Sequence, residues 1–491
     1  MSTTEPASFP THIGAGLSDD DAQTQTSAAE KTAATERENP GDSRPDSATD
    51  KGKDNPSDGP SSSTRRYAGR IGGLDIARGL AILGMFYAHI APIGDGSDKW
   101  SKHHTILSDI PNGRSAILFA LLAGISLSIL TGRNVPYRGE RMATARKRIV
   151  GRALILVFFS MLTSLLNVAV IIILSYYAVW FLLALPFTSW NSRKLWTAAA
   201  FTAVFGPPLA LLISWLASSL GLAVAENDPF LWTTLIAGNY PGMTYMAFIF
   251  AGMAIGRSQI TQMGYQAKLL GLGVTLIIAG YGASYALSQT FIDPKQEPAS
   301  YGSVADEYGG TRAPSSTQKE DTETDKPPLN PNGEQPKHAF DFKPVALPTA
   351  SQLVSAKPHD NTSFEAVGSG GFAIALTGLC LLIGRLSRNV LWPLAAVGSM
   401  SLTAYSVHLM VVGVKPDLVQ NSWWGTLWIS VGAVIGCSLW RLVFKRGPME
   451  WMTWRFSYRF ATLLSAEKIS PPGESDGPLE SGGPIASSKS V

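Results

Sequence analysis

Residues 269–290 read LLGLGVTLIIAGYGASYALSQT, 22 residues without an acidic or basic side chain. A helix that crosses a bilayer needs about 20 mostly apolar residues, because each adds ~1.5 Å across a hydrocarbon core ~30 Å thick. Lipid offers no hydrogen bonds to an open backbone, so such a run is read as a helix. The same signature recurs along the chain at 74–93, 114–131, 149–166, 169–187, 195–217, 242–256, 367–384, 391–413 and 425–444. The expected fold class is therefore all-α, a polytopic integral membrane helical bundle of about ten transmembrane helices. The third and fourth runs are continuous from Arg152 to Pro186 apart from a soft break near Asn167. That pair can also be read as a tight hairpin, which makes the count uncertain by one.

Around these runs lie three stretches of another kind. Residues 1–64, 291–366 and 465–491 are rich in Ser, Thr, Pro, Gly, Asp, Glu and Lys. They lack the apolar content to bury a core, so they read as disordered segments. The bulk figures, 45% hydrophobic, 16% charged and mean hydropathy +0.10, average the two materials. The organisation that follows is a tail to 64, a membrane domain over 65–290, a polar loop over 291–366, a second membrane part over 367–464, and a C-terminal tail. An ordinary soluble enzyme is excluded. A net charge of +3 gives no reason to expect a nucleic-acid partner. The two cysteines, Cys380 and Cys437, sit inside apolar runs and offer no disulfide framework or metal site. No cleavable signal peptide is expected, since residues 1–64 contain no apolar stretch.

Orientation follows from Lys and Arg in the short loops. With the N-terminus inside, the cytosolic stretches carry 19 of them, six in 132–148 alone, against Lys99, Lys102 and Lys415 outside. Both termini are then cytosolic, and 291–366 is extracytoplasmic. No internal repeat at a fixed period is visible.

Ionisable groups within spans are costly and mark candidate sites. In the first span, LDIARGLAILGMFYAHIAPI, Asp75 and Arg78 are close enough to pair near the inner end. His89 follows Arg78 by eleven residues, three turns along nearly the same face and about 16 Å away. In the ninth, GSMSLTAYSVHLMVVG, Ser401, Tyr405 and His408 share a face. His408 also lies toward the outer end, so two histidines from different spans occupy similar depth. They suit a proton relay, a general base or a structural pair equally. The first outer loop, GDGSDKWSKHHTILSDIPNGRS, adds His103 and His104, with Arg114 at the mouth of the second span. Adjacent histidines rarely hold one ion well, so no metal is expected. On the inner side Arg146, Lys147, Arg148 and Arg152 crowd together, which suits anionic lipid or a polyphosphorylated ligand. Small residues at four-residue spacing, Ala120, Gly124 and Ser128, then Gly252 and Gly256, read as helix packing faces. Gly206-Pro207-Pro208 is expected to break or kink the fifth span.

Four segments now look familiar as a set. RIGGLDIARGLAILGMFYAHI at 70–90 resembles the opening R-x-x-x-LD-x-x-RG-x-A-x-x-GM of the heparan-alpha-glucosaminide N-acetyltransferase catalytic-domain family. GRSAILFALLAGISL at 113–127, NYPGMTYMAFIFAGMAIGR at 239–257, and GSMSLTAY at 398–405 with RGPMEWMTWRF at 446–456 look more like a related, mostly uncharacterised family of bacterial polytopic membrane proteins. Together they cover the core from 70 to 457. The resemblance implies transfer of an acyl group from acyl-CoA, acetyl-CoA above all, to a sugar hydroxyl or amine at the outer face. The acetyltransferase family places a histidine in the first outer loop, which carries over to His103 or His104. The pattern that follows that histidine in the family has only a loose echo here, Asp109-Ile110-Pro111, so His89 and His408 stand as alternatives.

The expected function is a bacterial plasma-membrane acyltransferase acting on an envelope glycan or glycolipid. His89, His103, His104, His408 and Arg114 are its candidate catalytic residues. Arg78, Arg146, Lys147, Arg148 and Arg152 are the candidate acyl-CoA ligands. Its expected partners are the lipid bilayer, the acceptor and, as a possibility to test, a second copy of the chain. A proton-coupled transporter or flippase of a small or lipid-linked solute is the alternative, with the histidines as the coupling pair and Pro207-Pro208 as a hinge. A scaffold without activity is a third reading.

Overall fold

The computed structural model describes residues 71–91, 110–166, 170–220, 230–291, 353–386, 389–416 and 422–465. The tail 1–64, most of the loop 291–366, the loop that holds His103 and His104, and the tail after 465 lie outside these residues. Among the described residues the fold is all-helical. In chain order the helices are α1 (Gly72–Ile90), α2 (Arg114–Leu130), α3 (Gly139–Ser164), α4 (Leu174–Ala184), α5 (Ser192–Ser219), α6 (Gly242–Gly256), α7 (Met263–Phe291), α8 (Ser363–Leu386), α9 (Trp392–Ser399), α10 (Ser401–Val414), α11 (Trp423–Val443) and α12 (Pro448–Leu463).

Each of the ten apolar stretches holds helix. Four helices, α5, α7, α8 and α11, are long and apolar enough to cross a bilayer by themselves, and α9 with α10 would make a fifth if counted as one span. Helices α2, α6 and α4 with the 3-10 turn after it are apolar but shorter. The protein is thus a multi-pass helical membrane protein.

Its centre is built by backbones that approach closely at small residues. A Cβ on Gly252 of α6 would stand 1.9 Å from the Leu121 carbonyl oxygen of α2, and one on Gly124 would stand 2.2 Å from that of Ile249. Ser128 Oγ donates to the Met253 carbonyl across the same seam at 2.7 Å. These are the positions whose spacing marks a packing face, and they pack because lipid-embedded helices associate through close contact rather than exclusion of water. At the C-terminal ends of α2 and α6, buried Arg257 donates to the carbonyls of Ser128, Thr131 and Arg133 and to Thr131 Oγ1. It thereby closes the C-terminal end of α2, where carbonyls lack helical partners.

Four expectations change. First, the basic stretch 132–148 is a loop only to Arg138. From Gly139 it is the first part of α3, so Arg146 to Arg152 fan out around a helix. Secondly, Gly206-Pro207-Pro208 does not break the fifth span, since α5 is assigned as one helix across both prolines. The carbonyl that Pro208 leaves without a helical donor is that of Val204, and Ser363 Oγ donates to it at 2.7 Å. Thirdly, the ninth span is bent by 79° at Met400 into α9 and α10. The Glu450 carboxylate of α12 holds the new helix start, accepting from Leu402 N at 2.7 Å, Thr403 N at 3.1 Å and Thr403 Oγ1 at 2.5 Å. An acid at a helix N-terminus satisfies orphan amides and complements the dipole. The loop reading of 291–366 also ends early: from Leu353 the chain is folded against the bundle, and α8 starts at Ser363 rather than 367.

Candidate functional site

Helix α1 carries an ionisable side chain at each end of one face. In its first turns Arg78 donates to Asp75 at 2.9 Å and to Ser126 Oγ of α2 at 2.8 Å. In its last turn stands His89. The bend at Met400 starts α10, and Tyr405 and His408 follow one and two turns along it. Ser422, the N-cap of α11, donates its backbone N–H to the Ile90 carbonyl at 3.1 Å and ties α11 to the C-terminal end of α1.

The two helices bring their histidines together. His89 Nδ1 and His408 Nε2 are 3.0 Å apart, and the ring planes differ by 19°. His408 is 1% exposed, while His89 is half-buried. Phe86 and Tyr405 pack on the His408 ring at 4.5 and 5.1 Å between centroids. His408 Nδ1 faces back toward the carbonyls of Ala404 and Tyr405, short of full hydrogen-bond geometry. Those acceptors favour the proton on Nδ1. Nε2 then accepts from His89 Nδ1–H, which leaves the lone pair on His89 Nε2. This is an arrangement that suits an oriented base: a half-buried imidazole, and a fully buried one that fixes its tautomer.

A second group, within electrostatic range of His89, was not revealed by hydropathy. His359, Asp360 and Glu365 come from the folded end of the polar loop and the start of α8. Glu365, 4% exposed, accepts from His359 N at 2.9 Å and Asn361 N at 2.6 Å. The His359 ring meets Tyr240 edge-on at 5.5 Å. Burial holds the Tyr240 phenol above its ordinary value, so it remains an uncharged hydroxyl. Tyr176 packs edge-on against Tyr240 at 5.3 Å. The signal for these residues was the isolated HDNTSFE at 359–365, a His and two acids directly before an apolar run.

Arg114 opens α2 and is engaged by Tyr281: Nε donates to its hydroxyl at 2.7 Å, with the guanidinium 5.1 Å from the ring. His103 and His104 lie outside the described residues.

The α3 cations divide. Arg146 donates to Thr188 Oγ1 at 3.0 Å, and Lys147 to the Leu464 carbonyl at 2.7 Å and Ser465 Oγ at 3.1 Å. Both therefore fasten neighbouring elements. Arg148 and Arg152, one turn apart on α3, keep buried Nε atoms with no hydrogen-bond partner. Arg148, Arg78 and Arg446 are all near enough to act on Arg152 electrostatically. Four guanidiniums thus lie within electrostatic range of one another near the start of α1, where Arg78 pairs with Asp75.

Residues 70–281 match the family model described as heparan-alpha-glucosaminide N-acetyltransferase, catalytic. That part of the chain is similar to this catalytic-domain family. Among curated proteins and solved structures none matches the chain. The match holds Arg78, His89 and the α3 cations. It ends at Tyr281, before His359, Glu365, His408 and Glu450. The family and the apolar helices together point to a membrane acetyltransferase.

Proposed function

We propose that the protein transfers an acetyl group from acetyl-CoA, bound from the cytosol, to a sugar hydroxyl or amine presented outside, with His89 as general base and His408 as its orienting partner. The observation that carries this reading is the contact of His89 and His408 at one end of α1, while Arg78, Arg148, Arg152 and Arg446 gather at the other. Arg148 and Arg152, whose buried Nε–H groups have no hydrogen-bond partner, suit the phosphates of coenzyme A. From Arg78 to His89 is about 16 Å along the helix, a distance the pantetheine arm can bridge.

In the reaction the acceptor oxygen or nitrogen attacks the thioester carbonyl as its proton passes to His89 Nε2. The C–O or C–N bond forms, the C–S bond breaks, and the proton returns to the leaving thiolate. The donated N–H of His89 to His408 holds the ring throughout. Ten spans with both termini in the cytosol place the basic ends inside and the histidine pair outside. The bacterial plasma membrane, with an envelope glycan or glycolipid as acceptor, fits that topology. His103 or His104 is retained as a second base for the same step.

The test is covalent. Purified protein in nanodiscs is given acetyl-CoA labelled in the acetyl group and glucosamine as acceptor. Labelled acetyl-glucosamine, lost on H89A, supports the reading. A solute that crosses unmodified, with no acetyl-CoA consumption, refutes it in favour of transport.

A further inference from the structure

Helix α11 ends at Val443, and α12 starts at Pro448. The link between them is held against α11: the Trp440 indole donates to the Arg446 carbonyl at 2.9 Å, and Phe444 stacks on Trp440 at 4.5 Å between centroids. At 21 residues α11 is about 31 Å long, one hydrocarbon thickness, so a span built from it ends at the water boundary. Leu439, Leu442, Val443 and Phe444 are exposed there, as lipid-facing residues of a span are. Helix α12 therefore begins where the bilayer ends.

It is not a further span. It has 16 residues, about 24 Å, and three charged side chains, Glu450, Arg455 and Arg459. One side of it is used by the protein. Ser457 and Ala461 are buried, and a Cβ on Gly151 of α3 would stand 2.9 Å from the Ser457 Cα. Arg148 of α3 lies over the Tyr458 ring and Arg446 over the Trp454 ring, at 5.1 and 4.2 Å from the centroids. The other side presents Trp451, Met452, Arg455, Phe456, Arg459 and Leu463, all exposed and spaced along one helical face. The Arg455 guanidinium stands 6.0 Å from the centre of the Trp451 ring on that face. Glu450, the one acid of the helix, is turned to Leu402 and Thr403 of α10. The exposed face thus carries two cations and no anion. Aromatic and aliphatic side chains interleaved with arginines suit a helix at a membrane surface, its rings in the headgroup layer and its guanidiniums on phosphate.

We propose that this face of α12 docks on anionic phospholipid, with Trp451, Met452 and Phe456 in the headgroup layer and Arg455 and Arg459 on phosphates that no choline neutralises. The helix so held is the one whose Glu450 caps α10. Such docking is independent of acetyl transfer.

The reporter is full-length M452C carrying a bimane fluorophore; the two native cysteines are buried, so the label goes to position 452. In phosphatidylcholine nanodiscs the quenching of bimane is titrated with phosphatidylglycerol or phosphatidylcholine, each spin-labelled high on one acyl chain. A basic residue near an anionic surface is worth roughly fivefold. The expected result is quenching by the phosphatidylglycerol at a five- to twentyfold lower mole fraction, reduced to within twofold by R455Q/R459Q. Salt raised from about 0.1 to 1 M should shrink the preference, because the screening length falls from ~10 to ~3 Å. The melting temperature of R455Q/R459Q in phosphatidylcholine should match that of the reporter chain. Equal quenching by both headgroups in the reporter chain overturns the proposal, since lipid then covers the face without recognising charge. No quenching by either overturns it too, and so does an M452C chain that crosslinks to a second copy, which makes the face a protein interface. F456C serves as the reporter if M452C does not fold.

Discussion

Replacing Glu450 by alanine tests how the bent ninth segment is held. The carboxylate bonds two amides in the first turn of α10, at 2.7 and 3.1 Å, and the Thr403 hydroxyl. Loss of a good cap costs about 0.5–2 kcal/mol. Loss of a negative charge at a helix N-terminus adds about 0.3–1 kcal/mol. The sum expected for E450A is about 2 kcal/mol, because Thr403 Oγ1 still accepts from Met449 N at 3.2 Å and keeps part of the junction. At the scale of a 150–250-residue domain this is a melting temperature lower by roughly 4–8 °C. E450Q retains an acceptor oxygen and should lose about half as much. R459A, an exposed substitution on the same helix, should lose nothing measurable. The assay is thermal unfolding of detergent-purified protein, with acetyl-CoA turnover measured in parallel. Activity should fall further than stability in E450A, since α10 carries His408. If E450A melts with R459A, or E450Q falls as far as E450A, the capping argument is wrong.

Three further outcomes are expected. H89A should reduce acetyl transfer by about 10²–10⁴, the usual worth of a general base, and H408Q, which can still accept from His89 Nδ1–H, should retain more activity than H408L; equal rates in the two His408 variants would remove the tautomer argument. G252L should give aggregated or absent protein on size exclusion, since even its Cβ would lie 1.9 Å from the Leu121 oxygen and overpacking costs about 1–3 kcal/mol or more. Saturation with CoA at 100 times its dissociation constant should stabilise wild type by about 2.7 kcal/mol; R152A should weaken that affinity by about tenfold or more, whereas R146A, whose guanidinium is committed to Thr188, should not.

Hydropathy was enough for the helical class and for every apolar stretch, because lipid demands continuous apolar helices and little else in a sequence looks like one. It was also enough to place His89 and His408 at one depth, although not to say that they touch. The bend at Met400 was hidden because no proline marks it. Its stabilising acid lies 50 residues onward in α12, a long-range cap that local pattern cannot show. The start of α3 was hidden because arginine and lysine form helix well, so a basic run before a span looks like a loop only by its charge. Glu365 and His359 were missed for the opposite reason. Their segment has no apolar period, and its order comes from side chains accepting backbone amides, which leaves no periodic trace.

The order of the chain has a consequence for its synthesis. His89 emerges early, but its partner lies 319 residues later, on a half-helix whose first turn is closed by a residue later still. A ribosome that has inserted α1 to α11 has therefore delivered both imidazoles without the clamp that sets their distance. A chain cut before α12 should therefore carry both histidines on helices already made, with the first turn of α10 still without the acid that caps it.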